Sequence, residues 1–241
     1  VLLAVWQFAA FTKNYKTHHI FIGSVAVGLA MLAKGPIGLV VTLFALAPNV
    51  LIKKNLKAVL NIKLLLVPFI ILLVLTPMLL GLYQQFGMHG IRFYFWEQSF
   101  GRITGENVWK NDATYFYFLH NIAWAFIPFT LFFFLLFFRK CIHFGNQKEY
   151  ISFFGFLLPF IALSLSHYKL PHYIYITIPF AALITAPYIN SFLNRETSQT
   201  SKILIYFIQP IIVIALFLLP FSLVFAFSGQ FLWYVAISVV L

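Results

Sequence analysis

Charge is scarce in this chain. Charged residues make up 9% of its 241 positions, against about 25% in an ordinary soluble domain. Only five are Asp or Glu. With 62% hydrophobic residues, 20% aromatics and a mean hydropathy of +0.94, a soluble globular domain is excluded. One cysteine, Cys141, excludes an internal disulfide and a multi-cysteine metal site. There is no Gly-rich phosphate loop, which counts against soluble nucleotide chemistry. No nucleophile–base pair with a third orienting group is visible. Internal repeats and low-complexity tracts are also lacking, as is the basic, apolar and cleavage-site layout of a signal peptide.

What is present is a series of apolar runs. Hydrocarbon offers no partners to backbone amides, so spanning segments are helices or closed barrels. These runs are continuous and do not alternate, which selects helices. At about 20 residues per span the chain holds roughly eight spans or partial spans. The expected fold class is therefore an all-α, polytopic transmembrane helical bundle.

The expected spans are the tail of one at Val1–Phe11, then about Ile20 to Ala33, Ile37–Ile52, Leu64 to about Tyr83, Ala113–Phe138, Ile151–Leu165, Tyr173–Ile189 and Ile203–Phe227. A further span opens at Phe231, after a turn at Ser228–Gln230. Loops are expected at Thr12–His19, around Lys34-Gly35-Pro36, from Lys53 to Lys63, and at Ser166–His172. Gln84 to Asp112 is the longest polar stretch. The chain opens and closes inside apolar runs, so residues 1–241 read as part of one transmembrane domain. Upstream spans and an outer loop are expected to be missing, and the last span to be cut short.

The net charge of +11 suggests nucleic acid, but lysines gathered in cytoplasmic loops explain it better. With Lys34 in a turn between two short spans, one side holds Lys13, Lys16, Lys53, Lys54, Lys57, Lys63, Arg139, Lys140, Lys148, Arg195 and Lys202. The other holds Lys34, Arg92, Arg102, Lys110 and Lys169. The richer side is the cytoplasm. One broken helix over 20–52 would move Lys13 and Lys16 outside and spoil the pattern. Gly35-Pro36 breaks the helix either way.

The outer basic residues need a reason. For Arg92 and Lys110 tolerance suffices. Lys34, Arg102 and Lys169 each sit against a span end, at the depth of lipid phosphates. Snorkelling accounts for any one of them; three on one face also suit a phosphate. Pro171 forces Leu170 out of the helical region, letting Lys169 and Tyr173 point into one space. Tyr173 can donate to a phosphate oxygen. His167 and His172 lie five apart across that turn with no carboxylate beside them, which counts against metal. The aromatics Phe93–Trp96 suggest a segment on the membrane surface. After them come Glu97, Gln98 and Ser99 as loop or acceptor contacts, Glu97 either pairing with Arg102 or facing a ligand.

At these residues the chain resembles the polytopic glycosyltransferases that use polyprenyl-phosphate sugars. The nearest are the bacterial lipid A aminoarabinose transferases and the protein O-mannosyltransferase superfamily. Gly28-Leu29-Ala30-Met31-Leu32-Ala33-Lys34-Gly35-Pro36 is similar to the family's G-L-A-x-L-x-K-G-P turn. Gln98-Ser99-Phe100-Gly101-Arg102 matches the spacing of its E-H-x-x-R segment, and Ser166 to Tyr173 its S-x-x-K-L-P-x-Y turn. The resemblance implies a GT-C-like fold. It also implies sugar transfer from a polyprenyl-phosphate donor to a lipid or protein acceptor at the outer face of the bacterial inner membrane.

By the same resemblance Arg102 and Tyr173 hold the carrier phosphate, and Lys169 and Lys34 add positive charge. The family's catalytic Asp falls upstream of Val1, so no catalytic residue is assigned within the chain. Its metal-associated Glu and His fall on Gln98 and Ser99, a departure that counts against a divalent metal; no cofactor is assigned. The alternative is a transporter or lipid flippase handling an anionic lipid-linked substrate. A flippase is expected to carry polar residues at mid-span, whereas here the ionisable residues gather at one face. A purely structural membrane subunit would not need that gathering.

Overall fold

The computed structural model describes residues 1–97, 101, 114–193, 203, 206–207 and 209–226. Every described element is helical, an arrangement compatible with a helical bundle. Helix α1 spans Leu2–Asn14, α2 Thr17–Lys34, α3 Ile37–Ile52 and α4 Leu66–Arg92. After them come α5 (Tyr117–Ala125), α6 (Thr130–Ile142), α7 (Ile151–Leu165), α8 (Ile178–Leu193) and α9 (Gln209–Ala226).

Four expected boundaries are corrected. The span expected from Tyr173 to Ile189 opens as a 3₁₀ turn, Pro171–Ile176, and its α-helix runs Ile178–Leu193. The loop at Thr12–His19 shrinks to Tyr15 and Lys16. Thr12, Lys13 and Asn14 stay helical, and Tyr15 stops α1 in the left-handed region, its amide bonded to the Phe11 carbonyl. The span ending near Tyr83 runs on. Helix α4 continues to a kink at Gly87 (φ 62, ψ −150), resumes, and passes into a π-helical turn at Phe93–Glu97. The single span at 113–138 is two helices. The first helix stops after Ala125 and the second starts at Thr130, with Pro128 in the break between them, and the Thr130 hydroxyl donates to the Ala123 carbonyl at 2.8 Å. The turn at 228–230 and the span from Phe231 lie outside the described residues.

Residues 20–52 form a hairpin of two helices. Gly35 adopts φ 76, ψ −165 between them, and α3 runs back to where α2 began. There Asn55 accepts from the Tyr15 hydroxyl at 3.3 Å and donates to the Thr12 carbonyl at 3.1 Å. Lys63 donates to the Tyr15 carbonyl at 2.9 Å. Asn49 accepts the Tyr150 amide at 3.1 Å, and Lys140 binds Glu149 at 2.8 Å. The loops carrying most of the lysines therefore meet at one end. The Lys34 turn lies a helix length away, about 27 Å along 18 residues of α2.

Between the ends lies an aromatic core. Phe133 on α6, Phe156 on α7 and Phe180 on α8 are buried together, Phe133 and Phe156 with centroids 4.7 Å apart. Gly155 lets α8 close on α7, because a β-carbon there would run into the buried Phe180 ring. A second cluster packs Val27 and Met31 of α2 against Ile71 and Leu75 of α4. The opposite flank of α4 leaves Phe69, Leu72, Leu73 and Leu80 exposed. Among the described residues, two helical stretches, Thr17–Lys34 and Ile62–Glu97, are long and apolar enough to cross a membrane.

Candidate functional site

The site begins with the turn that ends α2. Gly35 donates its amide to the Met31 carbonyl at 2.6 Å, and Pro36 starts α3 by accepting from Leu39. The same Met31 carbonyl accepts the buried Tyr94 hydroxyl at 2.9 Å. The π-helical segment after α4 is thus fastened to the Lys34 turn. Sequence reading took Phe93–Trp96 as an interfacial group and missed this role of Tyr94; its hydroxyl among Phe and Trp was the available signal.

Lys34 closes α2, where the helix dipole favours a cation. Its Nζ lies 4.7 Å from the centroid of the Tyr173 ring. Tyr173 stands on a 3₁₀ turn, Pro171–Ile176, with its amide bonded to the Leu170 carbonyl. Leu170 has φ −123 and ψ 144, the extended geometry expected before proline. Two segments far apart in sequence, both singled out for their motifs, are therefore in contact.

Lys169 faces differently. It is only 4% exposed, and its Nζ donates to the Thr114 carbonyl at 3.3 Å and lies 5.3 Å from the centroid of Tyr115. Burial pushes its pKa below the usual lysine value. Lys169 and Tyr173 sit on either side of Pro171, Lys169 toward the start of α5 and Tyr173 toward Lys34. Nothing in the sequence singled out Thr114 or Tyr115.

Among the described residues Glu97 is the one carboxylate at this end. It lies 3.8 Å from Arg92, both side chains being partly exposed. The expected choice between Arg102 and a ligand omitted this local pair. Gln98, Ser99 and Arg102 fall outside the described residues. His172 packs edge-on against Tyr173, centroids 4.8 Å apart. Among the described residues no three His, Cys, Asp or Glu gather as metal ligands. The expectation that Lys169 and Tyr173 point into one space is corrected: Tyr173 meets Lys34, while Lys169 turns to Thr114 and Tyr115.

No protein-family model, no curated protein and no solved structure matches this chain.

Proposed function

We propose that this chain is a multi-pass part of a membrane glycosyltransferase that takes a sugar from a polyprenyl-phosphate donor. The acceptor is a lipid or a protein at the outer face of a bacterial inner membrane. The observation that carries the reading is Lys34 seated on Tyr173. It joins the K-G-P turn to the K-L-P-x-Y turn, and both motifs belong to the resemblance. The Tyr94 bond to Met31 supports it, because it tethers the segment leading toward Arg102 to the same turn.

In the transfer, an acceptor hydroxyl oxygen bonds to the anomeric carbon as that carbon's bond to the carrier phosphate breaks. The polyprenyl phosphate leaves with the electron pair. Lys34, Lys169 and Arg102 offset the charge growing on it, and Tyr173 donates a hydrogen bond to it. The hydroxyl proton passes to a carboxylate base, which the resemblance puts upstream of Val1.

The test supplies membranes carrying the protein with a polyprenyl-phosphate donor bearing a radiolabelled sugar. Label is expected in the lipid or protein fraction. Tyr173→Phe keeps the ring under Lys34 and removes only the hydroxyl; Arg102→Ala removes the guanidinium. Each is expected to lower transfer on the order of a hundredfold with the thermal midpoint unchanged. Unaltered transfer in both variants sinks the phosphate assignment. Movement of the lipid across the membrane without transfer replaces the reading with a flippase.

A further inference from the structure

The basic end holds a second arrangement unrelated to the Lys34 turn. Lys13, Lys53, Lys54 and Lys148 line one cavity of about 550 Å³, within the size range of small-ligand sites. They come from three separate places: the last turn of α1, the end of α3 and the loop before α7. The positive-inside rule explains why lysines lie on this side. It does not explain why four of them converge on one hollow.

Among the described residues, the charge there is uncompensated. Glu149 is the one carboxylate in the lining, and it is already engaged. Its Oε1 accepts from Lys140 at 2.8 Å and from the Ser152 hydroxyl, and its Oε2 accepts the Ser152 amide at 2.9 Å. Lys53 donates to the Lys148 carbonyl, which ties two of the lining loops together. Among the described residues, no hydrogen-bond or ion-pair partner is found for Lys13 or Lys54. Lys54 also holds φ 53, a left-handed position that glycine or asparagine adopts at less cost. Val50 and Ile151 supply apolar walls, and Leu51 and Ile52 are exposed beside the lysines.

We propose that this cavity binds a phosphate-bearing anion, the headgroup of an anionic membrane lipid. The lysines take the phosphate as point charges, and the acyl chains lie along Leu51 and Ile52. Basic pockets at the cytoplasmic ends of spanning helices suit such headgroups. The proposal does not depend on sugar transfer at the other end.

The test titrates the purified protein in neutral detergent with short-chain phosphatidylglycerol, short-chain phosphatidylcholine and inorganic phosphate. Bound lipid is read by native mass spectrometry and by the thermal midpoint. Phosphatidylglycerol is expected to remain bound and raise the midpoint; phosphatidylcholine is not. Lys13→Ala and Lys54→Asn, the second chosen because asparagine tolerates the left-handed backbone, are each expected to weaken binding roughly fivefold. Lys57→Ala, a nearby lysine outside the lining, leaves it unchanged. Equal retention of phosphatidylcholine overturns the proposal, as does undiminished binding in the Lys13/Lys54 double variant. An equal weakening by Lys57→Ala reduces the effect to surface charge and also overturns it. Inorganic phosphate protecting as well as the lipid does overturns the lipid assignment.

Discussion

A lysine beside hydrocarbon needs water, a counter-charge or a polarisable face, and Lys34 and Lys169 meet that need differently. Lys34 stays exposed and rests on the Tyr173 ring, a contact of about 0.5–1 kcal/mol at such a site. Lys169 is buried and directs its charge at the Thr114 carbonyl and the Tyr115 face. Its lowered pKa carries a sign. The folded state disfavours the ammonium, so the unfolded chain binds more protons in the window between the two pKa values. Stability therefore rises as pH climbs through the depressed value toward the ordinary lysine range. Lys169→Met keeps the stem and removes the charge. It is expected to flatten that alkaline rise in a denaturation series while lowering donor binding; an unchanged pH profile would count against the desolvated lysine. That Lys169 was costly was legible in the sequence from its apolar neighbours. That its partners are Thr114 and Tyr115 was not, because both precede α5 and no local pattern sets the register between that segment and the Pro171 turn.

At the scale of elements, proline and glycine were the readable signals where polarity misled. Gly35-Pro36 marked a break, and α2 and α3 turn back on each other there. Pro171 was expected to hold Leu170 extended, and it does. Polar residues were poorer guides. Thr12, Lys13 and Asn14 prefer water, yet their backbone bonds continue α1. Conversely, the apolar run through 113–138 hid a break around Pro128, because hydropathy does not register where a helical backbone stops. Gly35 is the most demanding position, since φ 76 with ψ −165 is a region nearly reserved for glycine. Gly35→Ala is expected to cost about 1–3 kcal/mol and to move Lys34 off Tyr173. Loss of thermal stability together with loss of transfer is the anticipated pair of readouts; a fully stable variant would show that the turn tolerates a side chain.

At the scale of the whole molecule, the two ends differ in chemistry. One gathers Lys13, Lys53, Lys54, Lys63, Lys140 and Lys148 with the loops that hold them; the other gathers Lys34, Lys169 and the aromatic segment around Tyr94. Charge counting along the sequence separated these groups, and helix lengths with interloop hydrogen bonds place them apart in space. The sidedness is testable with the native Cys141, which is exposed at the basic end. In spheroplasts a membrane-impermeant maleimide is expected to leave Cys141 unlabelled until the membrane is opened. In a Cys141→Ser background, His167→Cys is expected to label at once. The reverse pattern would invert the orientation.

The pairing of α3 with α7 bears on the order of assembly. Helices α1, α2 and α3 are joined by two-residue breaks, so their mutual contacts close almost as soon as each helix exists. The other face of α3 meets α7, and the bond from Tyr150 to Asn49 spans a separation of 101 residues. Val41 and Ala45, buried in the finished core, lie on the helix that α7 covers and are therefore left without that cover until the later helix is made. During synthesis α3 is the unfinished seam of the molecule, and α7 is the helix that closes it.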